Sequence, residues 1–253
     1  MSRVFDESDP GATFAGLRTT MPAWQQRWRI PAGTRGPVTT PDALRRLAAL
    51  GRTPPDRALL GHALGELDAR HQLASGIAAA PNLDAIMTEF VTRLSDAFGS
   101  LPAIRGTAVL DIACGSSSSR SPVTGRRTTE FEPWMCRLLV ALGANPVGLD
   151  IGEITDETFE HHRVDLGVSG ALDYLATGSF DAIHESRLFG SPEFRSAHGS
   201  ATERVRREIH RQERRLLRPG GVLIHSDGRR RPARTTGSRQ PGEPGPSGAA
   251  PGG

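Results

Sequence analysis

From residue 107 onward, short apolar runs alternate with stretches of helical spacing. The runs are Thr107–Ile112, Pro146–Ile151, Arg163–Leu166, Phe180–His184 and Gly221–Ser226, and each has the length and bounding turn residues of a buried strand. Between them, Glu132–Gly143, with Pro133 near its start, and Ala201–Leu217 repeat their apolar residues at helical intervals, and residues 170–176 carry a weaker form of that signal. Strands and helices in alternation predict an α/β fold, a doubly wound and mainly parallel sheet with helices on both faces. Ligands of such sheets bind at the carboxyl ends of the strands.

Upstream the spacing is helical throughout. Thr40 as N-cap and Pro41 at the first helical position open a helix through Leu44, Leu47 and Leu50 that Gly51 ends. A second helix starts after Pro54-Pro55 and carries Leu59, Leu60, Leu64 and Leu67 toward Leu73, and a third runs from Asn82 through Ile86, Phe90 and Leu94 to Phe98. Residues 1–39 hold Pro10, Pro22, Pro31 and Pro37 with Trp24 and Trp28 as their main hydrophobic mass, the pattern of an arm that anchors on a body. Residues 228–253 contain seven Gly and five Pro without apolar periodicity, so they bury too little surface to offset the entropy of ordering. The expected organisation is an arm and helical cap over 1–81, the parallel-sheet domain over 82–227 and a disordered tail over 228–253.

Composition narrows the chemistry. No run of 18 apolar residues occurs and the first thirty residues lack an apolar signal segment, which excludes a membrane-spanning helix and points to the cytoplasm. All 31 basic residues are arginine, so Schiff-base lysine chemistry is excluded. The net charge of +3 is carried by the tail, whose five arginines against Glu243 leave residues 1–227 at −1. A body of that charge, with 5% aromatic residues, lacks the basic groove and stacking platforms of a nucleic-acid binder. Cys114 and Cys136 have no neighbours at zinc-ligand spacing, and the adjacent His161 and His162 diverge on a strand, so no metal site is expected. His225 reads as structural.

The candidate chemistry sits where the strands end. The first runs into VLDIACGS, residues 109–116, delivering Asp111 and then a turn of small residues, Ala113 and Gly115 among them. The second ends at Asp150-Ile151, the third at Asp165-Leu166 and the fourth at His184-Glu185, and the fifth follows LLRPGG. Alone, an acid at a strand end caps the next helix or lies solvated in a turn. The five features in this order resemble the class I S-adenosylmethionine-dependent methyltransferases, a Rossmann-like family. That resemblance, over residues 105–227, implies S-adenosyl-L-methionine as cofactor. It places Asp111, Ala113 and Gly115 beside the methionine part, Asp150 and Ile151 at the ribose, and Asp165 and Leu166 at the adenine. His184 and Glu185 face the transferred group as candidate general bases, although neighbours on a strand point opposite ways.

Three departures stand out. Gly115 alone remains of the three glycines usual in the first motif. Asp111 and Asp150 are 39 positions apart, a long interval whose surplus is the polar segment Ser116–Thr129, expected to supply a lid or substrate contacts, with Arg120 and Arg187 as candidate carboxylate clamps. The chain also leaves little after the fifth strand, so the sheet is expected to lack two strands and to need its edge covered by another segment or by a second copy in a homodimer. The resemblance implies methyl transfer to a small organic acceptor in specialised metabolism. A cyclase or aminopropyl transferase releasing methylthioadenosine, and a non-catalytic scaffold with a degenerate site, are the alternatives.

Overall fold

The computed structural model describes residues 40–117, 129–185, 188–189, 194–195, 198–225 and 231–232. Its centre is a sheet of β1 (Ala108–Ile112), β2 (Asn145–Asp150), β3 (Glu160–Arg163), β4 (Phe180–Glu185), β5 (Leu217–His225) and β6 (Arg231–Pro232), in the order β3-β2-β1-β4-β5-β6. The first five pair in parallel, and β6 pairs antiparallel with β5. This order reverses between β1 and β4 and is that of a doubly wound Rossmann-like sheet, as the sequence predicts.

Alternation along the strands builds two cores. On one face Val109, Ala182 and Ile224 meet α1 (Thr40–Ala48), α2 (Pro54–His71), α3 (Leu73–Ala79), α4 (Pro81–Phe98) and α5 (Trp134–Ala141). On the other, Leu110, Ile112 and Ile183 meet Val205, Ile209 and Leu216 of α6 (Thr202–Leu216). The strands read as nearly continuous apolar runs because both faces are covered.

The helices before 81 and the helix after it share one core, from Ala43 to Ile224, so the boundary expected at 81/82 does not divide two packing units. Asp56 shows how that layer is pinned. It completes a capping box with Thr53 at the start of α2, and its Oδ1 accepts the Leu101 N–H at 2.9 Å across 45 residues. In α5, buried Arg137 donates to Glu132 at 2.6 Å and to Glu157 at 2.6 Å, and its guanidinium lies over the Trp134 ring.

Four sequence expectations shift. The second helix breaks at Gln72, which takes a left-handed conformation with φ 53°, and α3 follows. Residues 170–176 form successive turns rather than a helix, because Gly170 has φ +76° and the carbonyls of Leu172 and Leu175 are taken by the Arg215 guanidinium at 2.8 and 2.7 Å. The third strand lies at 160–163 rather than 163–166; it is the polar edge, invisible to an apolar-run criterion. The segment expected to be without structure from 228 contributes Arg231–Pro232 to the sheet as β6. The rest of that tail, the arm over 1–39 with Trp24 and Trp28, Arg120, Arg187 and most of the Ser116–Thr129 segment lie outside the described residues.

Candidate functional site

The turn after β1 is built by backbone geometry that its sequence only partly announces. Ala113 has φ +60° and Gly115 φ +97°, and a Cβ at 115 would stand 2.3 Å from the Phe131 carbonyl oxygen, so only glycine fits there. Cys114 N–H donates to Leu149 O at 3.0 Å, Ser116 N–H to Phe131 O at 3.0 Å and Ser117 N–H to Glu153 O at 3.0 Å. The turn is thereby held against the end of β2.

Asp150 organises the same place from the other side. Its Oδ2 accepts the Gly115 N–H at 3.0 Å and its Oδ1 the Gly152 N–H at 2.7 Å. Burial pushes its carboxyl above the ordinary range, opposed by those two backbone donors and the Ile151 N–H. Ile151, next in the chain, is 57% exposed, an apolar surface beside a carboxylate at the carboxyl edge of the sheet. Asp165 lies two residues beyond β3, where its Oδ1 accepts the Gly167 N–H at 2.8 Å, and Leu166 packs partly buried against the second core. Val164 N–H donates to Asp150 O at 2.8 Å and Arg163 Nε to Ile151 O at 3.0 Å, so Asp150, Ile151 and Asp165 share one edge with the 113–117 turn.

Asp111 does not reach that edge. It pairs with Gly148, two residues before Asp150 along β2, and is 1% exposed. Its Oδ1 is 2.6 Å from His184 Nδ1 and its Oδ2 accepts from the Cys136 thiol at 3.4 Å. Burial pushes that thiol well above its usual range and keeps it a donor. His184 Nε2 is buried without a hydrogen-bond partner among the described residues, and the ring stands edge-on to Phe90 at 5.5 Å. In the tautomer that carries Nδ1–H toward Asp111, Nε2 is the acceptor atom of the ring. Asp111 was expected beside a methionine chain; in the structure its carboxylate orients His184.

Glu185 points to the opposite face, as strand alternation requires. Its Oε1 accepts the Leu188 N–H at 3.2 Å and its Oε2 lies 3.4 Å from His225 Nδ1. The two neighbouring candidates thus belong to different clusters. Phe90, Cys136, His210 and Glu213 enter these clusters without having been singled out by sequence. Phe90 and Glu213 carry ordinary core and surface signals for their helices, and only contacts reveal them.

Two small cavities are present, one of about 10 Å³ lined by Leu166, Leu172 and Ile209 and one of about 20 Å³ between His71 and Phe159. Among the described residues no helix is long and apolar enough to cross a membrane.

The strand order defines a Rossmann-like, doubly wound class of architecture. No protein-family model matches the chain, and no curated protein is similar to it. Among solved structures it is similar to a CurJ carbon methyltransferase, with a TM-score of 0.36 and 15% identity over 87% of this chain and 52% of that one. It is also similar to the trans-methyltransferase CalH in complex with SAH, with a TM-score of 0.29 and 12% identity over 82% of this chain and 73% of that one. The chain spans about half the length of the first of these. The fold assignment rests on the strand order, not on these superpositions.

Proposed function

We propose that the protein is an S-adenosyl-L-methionine-dependent methyltransferase of the class I type, acting in the cytoplasm on a small organic acceptor in specialised metabolism. The observation that carries this reading is Asp150. An ionised carboxylate offers about four acceptor positions; on Asp150 the N–H groups of Gly115 and Gly152 take two of them and the Ile151 N–H bears on a third. The capacity left over suits a ribose hydroxyl, and exposed Ile151 beside it suits the face of an adenine. These residues fit the nucleoside part of the cofactor. Asp165 and Leu166 extend the same edge, and Ala113 and Gly115 supply a tight backbone turn next to it.

The cofactor supplies a methyl group already activated by its sulfonium, so the work left to the chain is alignment and, for a protonated acceptor, removal of a proton. His184 is suited to that removal, with Nδ1–H given to Asp111 and Nε2 as the acceptor atom. Phe90 stands edge-on to the ring, so a change of its rotamer is part of this proposal. Glu185, on the opposite face, is the second candidate base only if the acceptor enters from the α6 side. A homodimer covering the short β6 edge belongs to the same proposal, read by light scattering.

One observation favours a second reading. Gly115 alone remains of the three glycines usual in the first motif, as in a scaffold with a degenerate site. The test is calorimetric titration of the full chain with S-adenosylmethionine, then incubation with a metabolite extract and mass identification of the nucleoside product. S-adenosylhomocysteine supports methyl transfer. Methylthioadenosine replaces it with a cyclase or aminopropyl reaction, and absence of binding leaves the scaffold.

A further inference from the structure

On the α6 face of the sheet, at the end of β5 and three strands across from Asp150, three potential ligands converge. His210 and Glu213 are three apart on α6 and so share one helix face. That face meets the end of β5, where His225 stands. One ligand atom from each of His210, Glu213 and His225 lies within 4.8 Å of the others, and His225 Nε2 is 3.9 Å from Glu213 Oε2. We propose that His210, Glu213 and His225 bind one divalent transition-metal ion of the Zn²⁺ class, leaving a fourth position for solvent or a ligand.

Three features of the cluster support an ion rather than a salt bridge. Glu213 is 1% exposed, and its Oε1 has no hydrogen-bond partner among the described residues. A buried carboxylate oxygen in that condition carries a desolvation cost that a cation offsets. Second, the two nitrogens of His225 are already divided between two carboxylates. Nδ1 faces Glu185 Oε2 at 3.4 Å while Nε2 faces Glu213. A carboxylate on the far nitrogen of a ligating histidine is the usual way such a ring is oriented and made more basic. Glu185 is itself fixed by the Leu188 N–H at 3.2 Å. Third, the His210 ring stands edge-on to the rings of Phe189 and His225, each at 5.7 Å, which keeps it beside the other two ligands.

The donor set selects the metal. Two imidazoles and one carboxylate, with no thiolate, suit zinc and its first-row neighbours rather than copper(I), calcium or magnesium. Three protein ligands and an open position form the pattern of a reactive rather than a closed zinc site. Metal–ligand bonds of about 2.0–2.2 Å require the donors to contract by about an ångström, which rotation of two half-buried histidines and one glutamate supplies. This assignment does not depend on the methyltransferase reading. It departs from the expectation of no metal, because His210 and His225 belong to different elements and only the packing of α6 on β5 joins them.

The test uses the full chain, stripped with EDTA and titrated with ZnCl₂ by calorimetry and with CoCl₂ by visible absorption. One equivalent of Zn²⁺ and the intense d–d bands of low-coordinate Co²⁺ are expected. His210→Ala and His225→Ala abolish both signals, and Glu185→Gln weakens zinc binding about 10- to 100-fold. A His161→Ala/His162→Ala control on β3 leaves them unchanged. Far-UV circular dichroism of each metal-free variant checks folding, and if His225→Ala fails to fold, half-buried His210 decides. Failure of the wild-type chain to bind zinc, or unchanged affinity in folded His210→Ala, overturns the proposal.

Discussion

The two faces of the sheet treat buried charge differently, and adjacent residues show it. His184 turns toward the helical layer, where Asp111 holds its Nδ1 at 2.6 Å and Phe90 covers the ring. Glu185 turns toward α6, into a cluster with His225, and beyond it Glu213 and His210. On the first side the buried Arg137 cation is matched by Glu132 and Glu157, and the atoms left short among the described residues are Ser95 Oγ and His184 Nε2. On the second, the atom left short is a carboxylate oxygen of Glu213. A charge buried in a matched network specifies packing, whereas a carboxylate oxygen left short marks a place where a cation belongs.

The largest effect that would break this contrast is expected on the matched side. Arg137→Met removes the cation between two carboxylates whose side chains are 6% and 3% exposed, and should cost about 3–5 kcal/mol in urea unfolding. A loss below 1 kcal/mol would mean that solvent reaches the pair and that the two faces do not differ.

Next comes a pH dependence on the unmatched side. Burial pushes the Glu213 carboxyl up to about 7 from 4.5, with His225 pulling it down and Glu185 pushing it up. Because the folded value lies above the unfolded one, the neutral carboxyl contributes stability that is complete below about pH 4.5 and lost as pH rises through 7. The loss is on the order of 3 kcal/mol. Denaturant titrations in EDTA from pH 4.5 to 8 should show that decline, and Glu213→Gln should flatten it; equal slopes in both proteins would remove Glu213 as the cause.

Smaller still, Asp111→Ala leaves His184 Nδ1 and the Cys136 thiol without their shared acceptor and should destabilise by about 2 kcal/mol. His184→Phe combined with Asp111→Ala should recover part of that loss if the pair is the source. The smallest effect concerns ligand rather than fold. Asp150→Ala should weaken S-adenosylmethionine binding by about 1–2 kcal/mol in calorimetry, and an unchanged affinity would exclude Asp150 as the ribose contact.

Much of the architecture was legible because hydrophobic period is a local property. β1, β2 and β4 fall within a residue of their apolar runs, and Gly99 closes α4 where expected. β3 was displaced because an edge strand of Glu160, His161, His162 and Arg163 buries little and so leaves no apolar run. At the candidate site, Asp150 and Ile151 could be singled out since a strand end positions them whatever the rest of the fold does.

The partners of the remaining polar residues could not be read that way. Asp111 and His184 are 73 residues apart and meet because β1 and β4 lie side by side in one register. His210 and His225 meet because α6 lies back on β5. The sequence by itself determined β1, β2 and β4, the main helices and the carboxylate that ends β2, since those follow from spacing along the chain, but not β3, β6 or the turns over 170–176. Only the tertiary structure decided which face each side chain enters and what it finds there, because strand register and helix docking are set by the summed packing of distant residues.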